Sequence, residues 1–90
     1  MIVELNEIEF EVEESKLDDW EFLKILKNLE TNPLNVIDVG EFLLGSEQNK
    51  KLEDSLRKEG RIKASEMMDA YKQLLDQIKT LKNSSSSPSV

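Results

Sequence analysis

Ninety residues carry twelve basic and nineteen acidic side chains, a net charge of −7, with 38% apolar content and neither cysteine nor histidine. That length builds one core burying roughly 60–65% of the unfolded surface and excludes a second domain. The missing residue types exclude a disulfide framework, thiolate chemistry, and the commonest metal ligand and general base near neutral pH.

The charge is unevenly placed. Residues 1–30 hold ten acids and three lysines, so the whole net charge sits in the first third, and residues 31–90 balance nine acids against nine bases. Such a patch repels nucleic-acid phosphates and favours basic partners or simple solubility. No run approaches the ~20 apolar residues of a membrane helix, and the acidic start lacks the basic opening of a signal peptide. The expectation is a soluble, intracellular chain.

Residues 2–5 and 8–13 alternate apolar and acidic side chains with period two, and Asn6-Glu7 lies between them. This predicts a β-hairpin with Val3, Leu5, Ile8, Phe10 and Val12 facing inward and the glutamates facing water. Glutamate at a hairpin turn incurs a steric cost at positive φ that glycine would not. An isolated hairpin is marginal in water, so helices must cover it.

Ser15 is the expected N-cap of a first helix, with Asp18, Asp19 and Glu21 at the positive end of its dipole. Phe22, Ile25, Leu26 and Leu29 define one face, and Leu17, Trp20 and Leu23 lie toward the other. Burial of Trp20 between the hairpin and another helix is favoured over a position under a partner. Asn32-Pro33 then stops one helix and starts the next. Leu34, Val36, Ile37, Val39, Phe42, Leu43 and Leu44 surround that second helix, which is either central to the core or part of a subunit interface, with Gly40 permitting close approach. Self-association and burial by the chain itself weigh about evenly here.

Gly45 is expected to end this segment in a left-handed conformation, and Ser46 to cap a surface helix over 47–59 that offers only Leu52 and Leu56 to the core. Ser65 is the expected cap of the last helix, where Met67, Tyr71, Leu74, Ile78 and Leu81 step by four, three, four and three, widened by Met68 and Leu75. Core packing is the default for a stripe of barely two heptads. Residues 83–90 lack the apolar content to offset ordering entropy and read as a disordered Ser/Pro tail. The expected architecture is therefore mainly α, an N-terminal hairpin (about 2–13) packed on a bundle of about four helices, in one domain over 1–82.

Catalytic chemistry finds no support. Glu7, Glu9, Glu11 and Glu13 form a comb that faces solvent, where no pocket excludes water. Asp18 and Asp19 lack the spaced oxygens of a calcium loop, and the glycines form no phosphate cradle. The lysines and arginines between residues 50 and 63 are interleaved with acids and lack a stacking aromatic. We therefore expect no enzyme, no cofactor or metal, no small-molecule substrate, no nucleic acid and no membrane. The candidate interaction surface comprises Trp20, Ile37, Phe42, Leu43, Met67, Met68, Tyr71, Leu74 and Ile78.

The ordered series "IVELNEIEFEVEES", "LDDWEFLKILKNLETNPL" and "EFLLGSEQNKKLEDSLRKEG", followed by an amphipathic helix and "KNSSSSP", resembles the small tail assembly chaperones of long-tailed phages and prophages over nearly the whole chain. The resemblance implies a mostly helical protein that coats the tape-measure protein during tail assembly, contacts other tail components, and tends to self-associate. It further implies residence in the bacterial host cytoplasm and absence from the mature virion. No catalytic residues accompany the family. The competing expectation is a small acidic adaptor or regulator, including a DNA mimic, acting through protein contacts.

Overall fold

The computed structural model describes residues 1–86, with side chains through residue 80. The chain is mostly helical behind an N-terminal two-stranded antiparallel hairpin. Strands β1 (Ile2–Leu5) and β2 (Ile8–Glu11) pair in the register Ile2↔Glu11, Val3↔Phe10, Glu4↔Glu9 and Leu5↔Ile8. Val3, Leu5, Phe10 and Val12 are buried and Ile8 half-buried, so the period-two alternation translates directly into an apolar inner face. Each of the four buried side chains contributes roughly 1.5–3 kcal/mol relative to exposure. The register also sets Glu4 opposite Glu9, a like-charge pair that water must screen.

The turn is as tight as the sequence allows. Asn6 and Glu7 both adopt positive φ, 52° and 63°, the geometry of a type I′ turn. Asn6 tolerates this and donates from Nδ2 to the Ser55 hydroxyl at 3.2 Å. Glu7 has no such compensation among the described contacts, so its Cβ is strained against its own carbonyl. Glu7→Gly should stabilise the fold by about 0.5–1 kcal/mol, measured as a rise in the urea midpoint at unchanged slope; an unchanged or lower midpoint would show that the turn is relaxed.

Three helices follow: α1 (Trp20–Leu29), α2 (Val36–Leu56) and α3 (Ala64–Ser86). Short 3₁₀ turns, Glu14–Asp18 and Pro33–Asn35, precede α1 and α2. The expected count of about four is corrected here. Gly45 does take positive φ, but at φ 78° and ψ 165° it kinks α2 instead of ending it, and two helical arms join within one element. Ser15 lies inside the first 3₁₀ turn; the N-cap of α1 is Asp19, whose carboxylate accepts from Glu21 N at 2.8 Å. Asn32 caps as expected, accepting from Leu34 N at 3.2 Å, with Pro33 at the first position.

The second arm of α2 stops at Leu56, earlier than the expected 59. Lys58 and Arg61 instead exchange backbone hydrogen bonds of 2.7 and 3.0 Å around Glu59 and Gly60, both at positive φ. α3 runs past the expected domain boundary at 82 into the serine-rich segment, and positions 87–90 of the predicted tail lie outside the described residues.

The hairpin lies across α2 and α3 and is fastened at both edges by side-chain amides. Gln77 of α3 donates to Glu4 O at 2.7 Å and accepts from Glu4 N at 2.9 Å. Gln48 of α2 does the same for Glu11, at 2.7 and 2.8 Å, and also donates to Leu44 O at 2.8 Å. Each amide offers the edge residue one donor and one acceptor, so it completes that residue as a third strand would. Lys51 covers the Phe10 ring, its Nζ 5.9 Å from the centroid.

The core gathers Val36, Val39, Leu43, Leu44, Leu52 and Leu56 of α2 with Ala70, Tyr71, Leu74, Leu75 and Ile78 of α3. Tyr71, 2% exposed, passes directly over Gly40, and its hydroxyl donates to the Oδ1 of buried Asn49. Burial first, then the nearby Glu41 and Glu53 carboxylates, push the Tyr71 pKa up to about 12, against the opposing effect of the Asn49 hydrogen bond.

Candidate interaction surface

The orientation of α1 is set by Phe22. Its ring stacks on Phe42 of α2 with centroids 6.0 Å apart and planes 12° from parallel. Lys16 lies over the Phe42 ring, donating to the Phe42 carbonyl at 3.1 Å with Nζ 5.8 Å from the ring centroid. Asn35 donates to Ile25 O at 2.7 Å and ties the end of α1 to the start of α2. With Phe22 inward, helical periodicity turns Trp20, Leu23 and Lys27 outward.

Trp20 is consequently 69% exposed and Leu23 56% exposed. The sequence-based preference for a sandwiched Trp20 is overturned, because the apolar side carrying Phe22 and not the side carrying Trp20 meets α2. Beside the indole lies a shallow hollow lined by Trp20, Leu23, Leu26, Lys24, Lys27 and Glu30. Lys24 pairs with Glu21 at 3.2 Å, both side chains being exposed. Such a pair is worth less than about 1 kcal/mol and exchanges readily for another partner. Leu34 and Ile37, at the entry to α2, are 63% and 40% exposed.

The structure divides the nine candidate surface residues. Trp20 and Ile37 are exposed; Phe42, Met67 and Met68 are half-buried against the core; Leu43, Tyr71, Leu74 and Ile78 are inside it. Tyr71, Leu74 and Ile78 of the heptad-like stripe of α3 therefore pack within the chain. Leu23 and Leu34 belong to the exposed apolar set and were not among the nine. The signal for Leu23 was its position beside Trp20 on the second side of a two-sided helix.

Glu4, Glu9 and Glu11 stand on the outward face of the hairpin beside Ile2, itself exposed. A polar hollow joins the hairpin turn to α3, lined by Asn6, Ser55, Lys58, Glu66, Asp69 and Gln73 among others. Lys58 approaches Glu66 Oε2 at 3.7 Å, and Glu66 Oε1 is buried with no hydrogen-bond partner. The basic stretch is partly engaged with acids, Arg57 reaching Asp54 at 3.7 Å.

Among the described residues no helix is long and apolar enough to cross a membrane, and no three acidic side chains converge as a metal site. What the fold defines is a small helical domain whose outward apolar surface is concentrated on α1 and the entry to α2. Comparison with family models, curated proteins and solved structures finds no match to this chain.

Proposed function

We propose that this chain is a tail assembly chaperone of a long-tailed phage or prophage, holding the apolar helices of a tape-measure protein apart until the tail tube forms around them. The observation that carries the reading is the exposure of Trp20, Leu23, Leu34 and Ile37 on an otherwise acidic domain. Large apolar side chains left outward on adjacent elements suit the apolar stripe of a helix. The acidic hairpin keeps such a complex soluble. On this reading the protein is not an enzyme, takes no cofactor, acts in the host cytoplasm, meets other tail components through its client and is left behind by the finished virion.

Co-expression with a tape-measure protein tests it. The client should stay soluble and co-purify with the chain, and Trp20→Asp together with Ile37→Asp should reduce recovered complex at least tenfold with far-UV circular dichroism unchanged. Unaltered client solubility with no complex would defeat the proposal. The outward row of Glu4, Glu9 and Glu11 favours a second reading, an acidic adaptor or DNA mimic. That reading requires a basic protein partner whose binding falls on Glu9→Lys.

A further inference from the structure

We infer that residues 14–32, the first 3₁₀ turn together with α1, form a strap that detaches from α2 as one unit while the hairpin and the α2–α3 core stay folded. This goes beyond the chaperone reading and does not depend on it. The strap is held at few points. Between residues 14 and 32 Phe22 alone is buried, whereas the shorter hairpin buries Val3, Leu5, Phe10 and Val12. α1 packs on α2 and on the two 3₁₀ turns, while the hairpin rests on both α2 and α3.

The facing surfaces are mismatched. α1 directs Phe22, Ile25, Leu26 and Leu29 inward along one helical face. Opposite them Asn35 and Phe42 touch the strap, and helical periodicity places Asp38 between these two. Of the three, only Phe42 offers a large apolar surface. Ile25, Leu26 and Leu29 are accordingly no more than half-buried, and the contact is concentrated on the stack of Phe22 on Phe42.

The kink in α2 supplies the latch. Phe42 stands three residues before Gly45, in the last turn of the first arm, where a helix leaves carbonyls without intrahelical partners. Lys16, on the strap, donates to that carbonyl and lies over the ring on which Phe22 stacks. Its charge also suits the negative end of the arm. The strap joins the rest of the chain through extended backbone at Glu13 and Asn32, so rotation at these two positions frees it without breaking a strand or a core helix. A ten-residue helix is marginal on its own. Once released, α1 therefore loses its helical structure and lays open Phe22, Ile25, Leu26 and Leu29, the apolar side that the closed form shelters.

Native-state hydrogen exchange on the full chain tests this. Amides of residues 24–29 should be protected at least about tenfold less than those of Leu52 and Leu74. Ile78→Val, a change in the α3 part of the core, weakens the strap-open and strap-closed forms equally. It should speed exchange at Leu52 and Leu74 by roughly threefold or more and leave residues 24–29 unchanged. Phe22→Ala weakens the closed form alone, so it should speed exchange of residues 24–29 and of the core amides by the same factor, at least about tenfold. Lys16→Met should act in the same direction with a smaller factor. Equal protection of strap and core, protection of residues 24–29 that falls with Ile78→Val, exchange there that ignores Phe22→Ala, or coil chemical shifts over residues 20–29 in the parent chain would overturn the proposal. Because no client is present, these outcomes leave the tape-measure experiment unaffected.

Discussion

Gly40→Ala should lower stability by about 2–3 kcal/mol and the melting temperature by roughly 10–20 °C, although the same change inside an exposed helix gains about 1 kcal/mol. The reversal comes from Tyr71. A β-carbon on residue 40 would sit 2.8 Å from Cγ of that ring and closer still to Cδ1 and Cε1. The ring has no room to withdraw, being 2% exposed and tethered through its hydroxyl to Asn49. Relief therefore requires α2 and α3 to separate, which loosens Val39, Leu43 and Leu74 together. A double-mutant cycle with Tyr71→Leu isolates the clash: Gly40→Ala should cost less than about 1 kcal/mol in that background, a coupling of more than about 1 kcal/mol. If alanine at 40 is neutral or stabilising in the parent chain, the close approach of ring and backbone is not a feature of the folded state.

The second large effect appears in alkali. Tyr71 holds its proton to about pH 12 when folded, against an ordinary value of 10.0. Between these values the folded state binds more protons than the unfolded one, so stability falls as pH rises. The contribution is fully present below pH 10 and is lost as pH climbs through 12. Two units correspond to about 2–3 kcal/mol. Tyr71 is the only tyrosine, so phenolate absorbance follows this one group, and its midpoint should lie near 12 in the folded chain. The difference between parent and Tyr71→Phe is the informative quantity. That difference should narrow from pH 10 upward. An absorbance midpoint at 10 with the chain still folded would remove both the burial argument and its consequence.

How much of this was legible beforehand depended on whether one pattern had one solution. The hairpin did: period-two alternation admits a single inward set, and Val3, Leu5, Phe10 and Val12 are indeed buried. The first helix did not. Phe22 with Leu29 and Trp20 with Leu23 present two apolar sides, and hydropathy cannot choose between them; the stacking of Phe22 on Phe42, across twenty positions, decides. Asn49 lies in a stretch that reads as a surface helix, yet it stands three before Leu52 and seven before Leu56 on their helical stripe. A polar residue in a core stripe is the visible trace of a buried partner, here the sole tyrosine. Gly40 was recognised as a point of close approach, but which neighbour approaches is a property of α3 packing and cannot be read from α2. Nothing in the glycine pattern distinguishes a helix stop at Gly45 from a kink, because both use positive φ.

The glutamine amides that complete the hairpin impose an order on biosynthesis. The strands leave the ribosome early, but Gln48 lies 37 positions beyond Glu11 and Gln77 lies 73 beyond Glu4. Until those side chains arrive, the nascent ribbon has two open lanes and no apolar floor, and it is most exposed to pairing with a neighbouring polypeptide on the same message. The row of glutamates covers that interval. Strands bearing Glu4, Glu9 and Glu11 repel their own kind, so the acidity of the first third should also oppose pairing between chains before they are folded.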